Sequence, residues 1–258
     1  MAFSRSKKLI SILGVLAAIG VPVGYGLNYA WTQIKDHGLT TAQKAEQTFN
    51  DIDQNINRDN YFLIKLTNGP VKLNIGPGPK DHYTVQKQPA AGTCHYVWLD
   101  KAAGKMLPDP DCTPGAISPA VTQANLASTI CKAGYTGIVR PPVSVTNAEK
   151  QANAKSYSYT GNWAVAEYDH FVPLEVGGDP NDARNIFVEP NKAGAKTVNN
   201  PKDTVENALN KLVCDAVHLK SQHKGSATSY LPLHVAQALI VKNWTTAIAQ
   251  AKNYMVKG

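Results

Sequence analysis

The sequence predicts an α+β fold, and three stretches carry that prediction. The run YDHFVPLEVGGDPNDARNIFV at residues 168–188 reads as two short strands on either side of a Gly-rich turn. Behind it, PKDTVENALNKLVC puts Val205, Leu209 and Leu212 on one side of a helix. Ahead of both, YFLIKLTNGPVKLNIG has two strand-like runs around Thr67, Asn68, Gly69 and Pro70. The order strand, turn, strand, helix makes one unit, and the earlier strands belong to a small β-rich region before it.

Residues 1–30 differ from everything that follows. Arg5, Lys7 and Lys8 precede an uncharged, apolar run over residues 9–27, about as long as the ~17–25 residues that cross a bilayer as a helix. Basic residues ahead of such a run hold the N-terminus in the cytoplasm and send the rest out. The segment reads as a signal anchor or a signal peptide, since Ala30 offers a small residue to a peptidase. In residues 31–59, Ala45, Phe49, Ile52 and Ile56 recur close to helical spacing, which predicts a membrane-proximal helix. Residues 60–106 form the β-rich region, with YTVQK and CHYVWLD as two further strand-like runs. The connector LPDPDCTPGAISP marks a boundary near residue 107. Residues 107–258 then hold a helical-looking VTQANLASTIC, the strand-turn-strand-helix unit, and a packing helix in LHVAQALIVKNWTTAIAQAKNYM.

Export changes how the cysteines are read. Cys94, Cys112, Cys131 and Cys214 all follow the apolar segment and make no Cys-x-x-Cys pair, so disulfides are expected rather than a zinc site. Four cysteines allow three pairings; Cys94 with Cys112 is preferred because it would staple one local loop, which leaves Cys131 with Cys214. At 258 residues the chain can bury a sizeable core, and its composition is that of a globular rather than a disordered protein. The formal charge of +7 favours an anionic partner, nucleic acid or a membrane surface.

Asp169 and His170 are the first candidates for chemistry. An imidazole titrating near ~6.5 is largely neutral at physiological pH and can take a proton from water. In an extended strand Asp169 points to the opposite face. One of the pair could then hold a metal while the other faces the water.

With their surroundings, these residues resemble a known family. YDHFVPLEVGG, followed by ARNIF and NNPKDTVENALNKLVC, looks like the HNH nucleases of the ββα-metal group. The likeness is to their exported branch, with the pattern Asp-His, Pro-Leu-Glu-x-Gly-Gly, Asn-Leu, Lys-Asp-x-x-Glu-Asn, Val-Cys. The stretch DPDCTPGAISPAVTQANLASTICKAGYTGIVRPP resembles the segment that precedes the nuclease unit there, so the resemblance covers roughly residues 107 to 250. It implies that His170 is the general base, that Asp169 is a ligand of a catalytic cation, and that Asn185 hydrogen-bonds across the hairpin to hold the His170 loop.

The chain departs from the pattern at the third position. Many relatives carry a His just before Lys-Asp, where Asn199 and Asn200 stand here. An Asn carbonyl can ligate a hard cation, which favours magnesium, then manganese, over zinc. Asn200 precedes Pro201 and so also reads as a helix N-cap, which makes Asn199 the other ligand candidate. Glu206 could order a metal-bound water, or pair with Lys202 one turn away. Arg140, Arg184 and Lys202, with Lys192 and Lys196, suit sequence-independent phosphate binding, and each also reads as a solvated surface charge.

The expected function is therefore a metal-dependent endonuclease acting outside the cytoplasm on DNA, and on RNA second, with little base preference. Two other expectations compete with it: a catalytically silent nucleic-acid- or envelope-binding module on the same fold, and an anchored structural protein. No feature of the sequence specifies an inhibitor or immunity protein.

Overall fold

In the computed structural model, residues 56–57, 61–221 and 229–256 are described. The expected anchor and nearly all of the membrane-proximal helix lie outside them; Ile56–Asn57, at the end of that stretch, form a two-residue strand. Among the described residues no helix is long and apolar enough to cross a membrane.

From Tyr61 on, the chain mixes small sheets and helices. Strands β1 (Tyr61–Leu66) and β2 (Gly69–Ile75) pair antiparallel through a turn at Thr67 and Asn68. Alternation turns Ile64, Leu66, Val71 and Leu73 into the core and leaves Lys65 and Lys72 exposed. Strands β3 (Val97–Asp100) and β4 (Lys105–Leu107) make a second hairpin. The short β5 (Ala116–Ile117) joins β2 in parallel. Helices α1 (Tyr135–Val139) and α2 (Val143–Ser156) lead to β6 (Glu167–His170), which pairs antiparallel with β7 (Ile186–Glu189). Two long helices close the chain, α3 (Pro201–Ser221) and α4 (Leu233–Ala251).

One hydrophobic cluster runs from Ile64 to Ala251, and residues on both sides of position 107 contribute to it. Trp244, 2% exposed, joins the two parts directly: its Nε1 donates to the carbonyl of Met106 at 2.6 Å. Helix α4 breaks at Asn243, whose extended backbone lets its side chain accept from the Thr245 N–H at 3.0 Å and cap the second half. Disulfides join Cys94 to Cys112 and Cys131 to Cys214, the expected pairing. They fit an oxidising, extracytoplasmic environment.

Two stretches differ from expectation, each for a local reason. VTQANLASTIC forms only a 3-10 turn at Leu126–Ser128. Asn125 takes the Thr122 N–H on its side chain and donates to Ala120, so side-chain bonds replace the helical ladder. YTVQK is not a strand; it runs beside α2, where Gln86 N–H donates to Glu149 at 2.7 Å and Asn153 donates to Gln88 at 2.9 Å. Helix α2 itself has no apolar stripe, because its buried face is Glu149, Asn153, Ala154 and Ser156. Polar side chains matched to one loop and one strand do there what a hydrophobic face usually does.

Candidate functional site

The site is built on β6, β7 and α3. In β6 the alternation puts Glu167 and Asp169 on one face and Tyr168 and His170 on the other. The register sets Glu167 opposite Glu189 and His170 opposite Ile186. On its outer edge β7 is braced by α2, since Asn153 accepts from Val188 N–H at 2.8 Å and stands in for a third strand.

Between the strands the loop is pinned from several sides. Asn185, fully buried, accepts from Val172 N–H at 2.9 Å and Ala116 N–H at 3.2 Å, and donates to the carbonyls of Val172 at 3.0 Å and Asp179 at 2.9 Å. These four bonds span the loop between β6 and β7 and tie it to Ala116 of β5. Gly178 passes so close to Val172 that a Cβ there would lie 1.7 Å from the Val172 carbonyl oxygen, so the crossing requires glycine. Asp179, also fully buried, accepts from Gly78 N–H at 2.6 Å and Asn181 N–H at 3.0 Å. It ties this loop back to the β-rich region.

His170 is 5% exposed and its Nε2 lies 3.1 Å from the carbonyl of Pro180. A carbonyl can only accept, so Nε2 carries the proton and Nδ1 is left as the basic nitrogen. Burial pushes the imidazole pKa down to about 4, against the pull of Asp169 and Pro180 in the other direction. The ring is therefore neutral at pH 7 and held in one tautomer.

On the other face, Lys202 reaches down from the first turn of α3. Its ammonium is fully buried and bonds Asp169 Oδ2, Glu206 Oε1 and, at 2.8 Å, the carbonyl of His170. Glu189 Oε2 stands 4.0 Å from it, fully buried, and neither Glu189 oxygen accepts a hydrogen bond. Burial alone would raise Asp169, but Lys202 holds it below its usual value. Burial raises Glu189 well above its usual value, with Lys202 pulling it the other way. Burial also pushes Glu206 up to about 8 and Glu167, with Asp169 beside it, up to about 7. Burial would lower Lys202, but Asp169, Glu206 and Glu189 hold it well above its usual value. The result is a buried cluster in which one ammonium offsets Asp169 and burial disfavours the charged form of the acids around it.

Each predicted site residue can now be placed. Asn200 is the N-cap of α3: its Oδ1 accepts from Lys202 N–H at 2.8 Å, while Asp203 accepts from the Asn200 N–H at 3.1 Å, a reciprocal capping arrangement. Its Nδ2 donates to Glu167 at 3.2 Å. Asn199 is exposed, and its carbonyl accepts from Asn191 at 3.0 Å. Glu206 pairs with Lys202 one turn away. Arg184 is held by Asp182, with Nη2 to Oδ2 at 2.6 Å, and donates to the Ile75 carbonyl at 3.1 Å. Arg140, by contrast, is exposed and near enough to bias both Glu167 and His170. Lys202, buried among carboxylates, is a cluster cation rather than a surface phosphate contact.

Of the expected metal ligands, Asn199 lies exposed on the loop before α3. Asp169 is engaged by Lys202, and the Asn200 carbonyl is engaged by the helix backbone. Among the described residues no three His, Cys, Asp or Glu side chains are grouped to hold an ion. Comparison with family models, with curated proteins and with solved structures finds no match to this chain.

Sequence reasoning missed Glu189, Glu167 and Asp179. A signal for the first two was present, since both are acids at the outer ends of the two short strands, and antiparallel pairing of those strands puts them opposite each other.

The cluster has a pH signature. The Glu206 pKa is about 8 folded against an ordinary 4.5, so between those values the folded state keeps a proton that the unfolded chain has released. Its stabilising contribution is complete below pH 4.5 and falls as pH rises through about 8. His170 acts in the opposite sense, because its pKa is lowered: its contribution is present above 6.5 and lost as pH falls through about 4. Urea unfolding of the native protein and Glu206→Gln isolates the first effect. The variant is expected to gain stability relative to the native protein by several kcal/mol between pH 5 and pH 8; a constant difference would show that Glu206 is ionised throughout.

Proposed function

We propose that this chain is an exported, metal-dependent endonuclease that hydrolyses phosphodiester bonds in DNA, and in RNA second, with little base preference. One observation supports this above the others: a neutral His170, fixed in one tautomer by Pro180, sits beside Asp169 on a strand whose return loop Asn185 braces. His170 Nδ1 takes a proton from water as the water oxygen attacks phosphorus. The P–O3′ bond breaks, the 3′ oxygen takes up a proton, and the products carry 5′-phosphate and 3′-hydroxyl. Arg140, exposed and within electrostatic reach of His170, neutralises charge on the phosphate. A divalent cation, magnesium first and manganese second, is the cofactor the resemblance implies. It would supply further charge neutralisation at the phosphate.

A second reading has its own support. Asp169 and Glu206 are both engaged by Lys202, and His170 is nearly enclosed; this favours a catalytically silent nucleic-acid-binding module on the same framework. One assay separates the two. Disulfide-bonded protein is incubated with supercoiled plasmid in magnesium, in manganese and in chelator. The nuclease reading expects nicking that chelator abolishes, and no nicking under any condition would overturn it. A gel shift without cleavage would establish the silent module instead.

A further inference from the structure

The chain contains two similar loops, KAAGK at residues 101–105 and KAGAK at residues 192–196. The first is the turn of the β3–β4 hairpin, in the part of the chain that the family resemblance does not reach. The second belongs to the connection between β7 and α3. The structure packs one against the other: Ala193 N–H donates to the Ala102 carbonyl at 3.3 Å. Gly104 has φ +66, and a Cβ on it would lie 2.6 Å from the backbone nitrogen of Lys192. Small residues between the lysines allow the two backbones this approach, and it gathers four cations at one place.

Lys101, Lys105, Lys192 and Lys196 are all exposed. None takes part in a salt bridge among the described residues. The two loops contain no acidic residue. The neighbouring acids are Asp100, whose Oδ1 accepts from Ala103 N–H at 3.0 Å, and Glu189, which is buried in the Lys202 cluster. Asp100, opposite Lys105 in the hairpin, offsets one of the four charges, and the excess that remains attracts an anion. The surface also continues into the candidate site. Asn191 donates to the carbonyls of Thr197, Val198 and Asn199 and folds the second loop back, and the loop ends at Asn200, the cap that touches Glu167.

We propose that these two loops form a phosphate track that holds the flank of a nucleic-acid strand beside the candidate site. The inference rests on the nuclease reading for the identity of the anion and gives residues 97–107 a function. Lysines on mobile stems contact phosphates without reading bases, so the track suits a substrate of any sequence. A negatively charged membrane surface is the rival occupant.

The test uses the full-length, disulfide-bonded His170→Ala protein in chelator, so that binding is read without cleavage. Fluorescence anisotropy with a labelled DNA duplex is measured across a salt series. Lys101→Gln/Lys105→Gln and Lys192→Gln/Lys196→Gln are each expected to lower the slope of log affinity against log salt by about 1.8, and affinity at 0.1 M salt by about 60-fold. Lys65→Gln/Lys72→Gln, on the β1–β2 hairpin, is expected to change neither. An unchanged slope when all four lysines of the two loops are replaced by Gln together would overturn the track while leaving the nuclease reading to the plasmid assay. If the variants lose DNA binding and the native protein does not nick plasmid, the track stands and the nuclease reading fails. Vesicles of phosphatidylglycerol supply the last arm: loss of vesicle binding with intact DNA binding would assign the surface to a membrane and overturn the proposal.

Discussion

His170→Ala is expected to slow plasmid nicking about 10²- to 10⁴-fold, the usual contribution of a general base, while the protein stays folded by circular dichroism. The reason lies in one hydrogen bond. With Nε2 committed to Pro180 at 3.1 Å, the ring presents a single basic nitrogen, and burial keeps it unprotonated down to about pH 4. The nicking rate, insofar as it depends on this group, rises with pH through about 4 and is level by neutrality. Asn185→Ala makes the informative contrast. It strips the partners from two backbone N–H groups and two carbonyls in a fully buried loop, so its main effect is a loss of roughly 2 to 3 kcal/mol in urea unfolding. Equal nicking by His170→Ala and the native protein would remove His170 from the mechanism.

Lys202→Met is expected to cost about 3 to 5 kcal/mol of stability, because it removes the only ammonium from a buried group of acids. Methionine replaces the stem but leaves Asp169 as a buried charge with nothing opposite it. The double variant Lys202→Met/Asp169→Asn removes both charges and is expected to recover a large part of the loss. Urea midpoints of the two variants decide the matter. If the single substitution costs less than about 1 kcal/mol, the cluster is not held by its central cation, and the raised pKa values assigned to Glu189 and Glu206 are wrong.

Much of the framework was legible from residue types and spacing. The antiparallel hairpin around Thr67 and Asn68, the strands at Glu167–His170 and Ile186–Glu189, and the helix capped by Asn200 ahead of Pro201 all announce themselves locally. So does the Cys94–Cys112 staple across one short loop. Helix α2 did not, because periodicity looks for apolar faces and this helix buries Glu149, Asn153 and Ser156 against partners distant in sequence. The strand expected over YTVQK failed for the same reason: its partner turned out to be that helix. The turn at Leu126–Ser128 shows the opposite failure, where apolar spacing suggested a helix and the Asn125 side chain outcompeted the backbone.

By itself the sequence determined the α+β class, the disulfide chemistry and the adjacency of Asp169 and His170 on a strand, since these follow from alternation, capping and cysteine count over short distances. Only the tertiary structure decided what those residues face. Folding α3 across the hairpin brings Lys202, already one turn from Glu206 in the helix, onto Asp169 and Glu189, and packing the loop beneath β6 brings the Pro180 carbonyl to His170. A residue's partner across 10 to 33 positions depends on how the elements pack, and no local pattern encodes that. Burial then biases the charge state of each group, because a low-dielectric interior tolerates one ion pair and disfavours the charged form of the surplus acids.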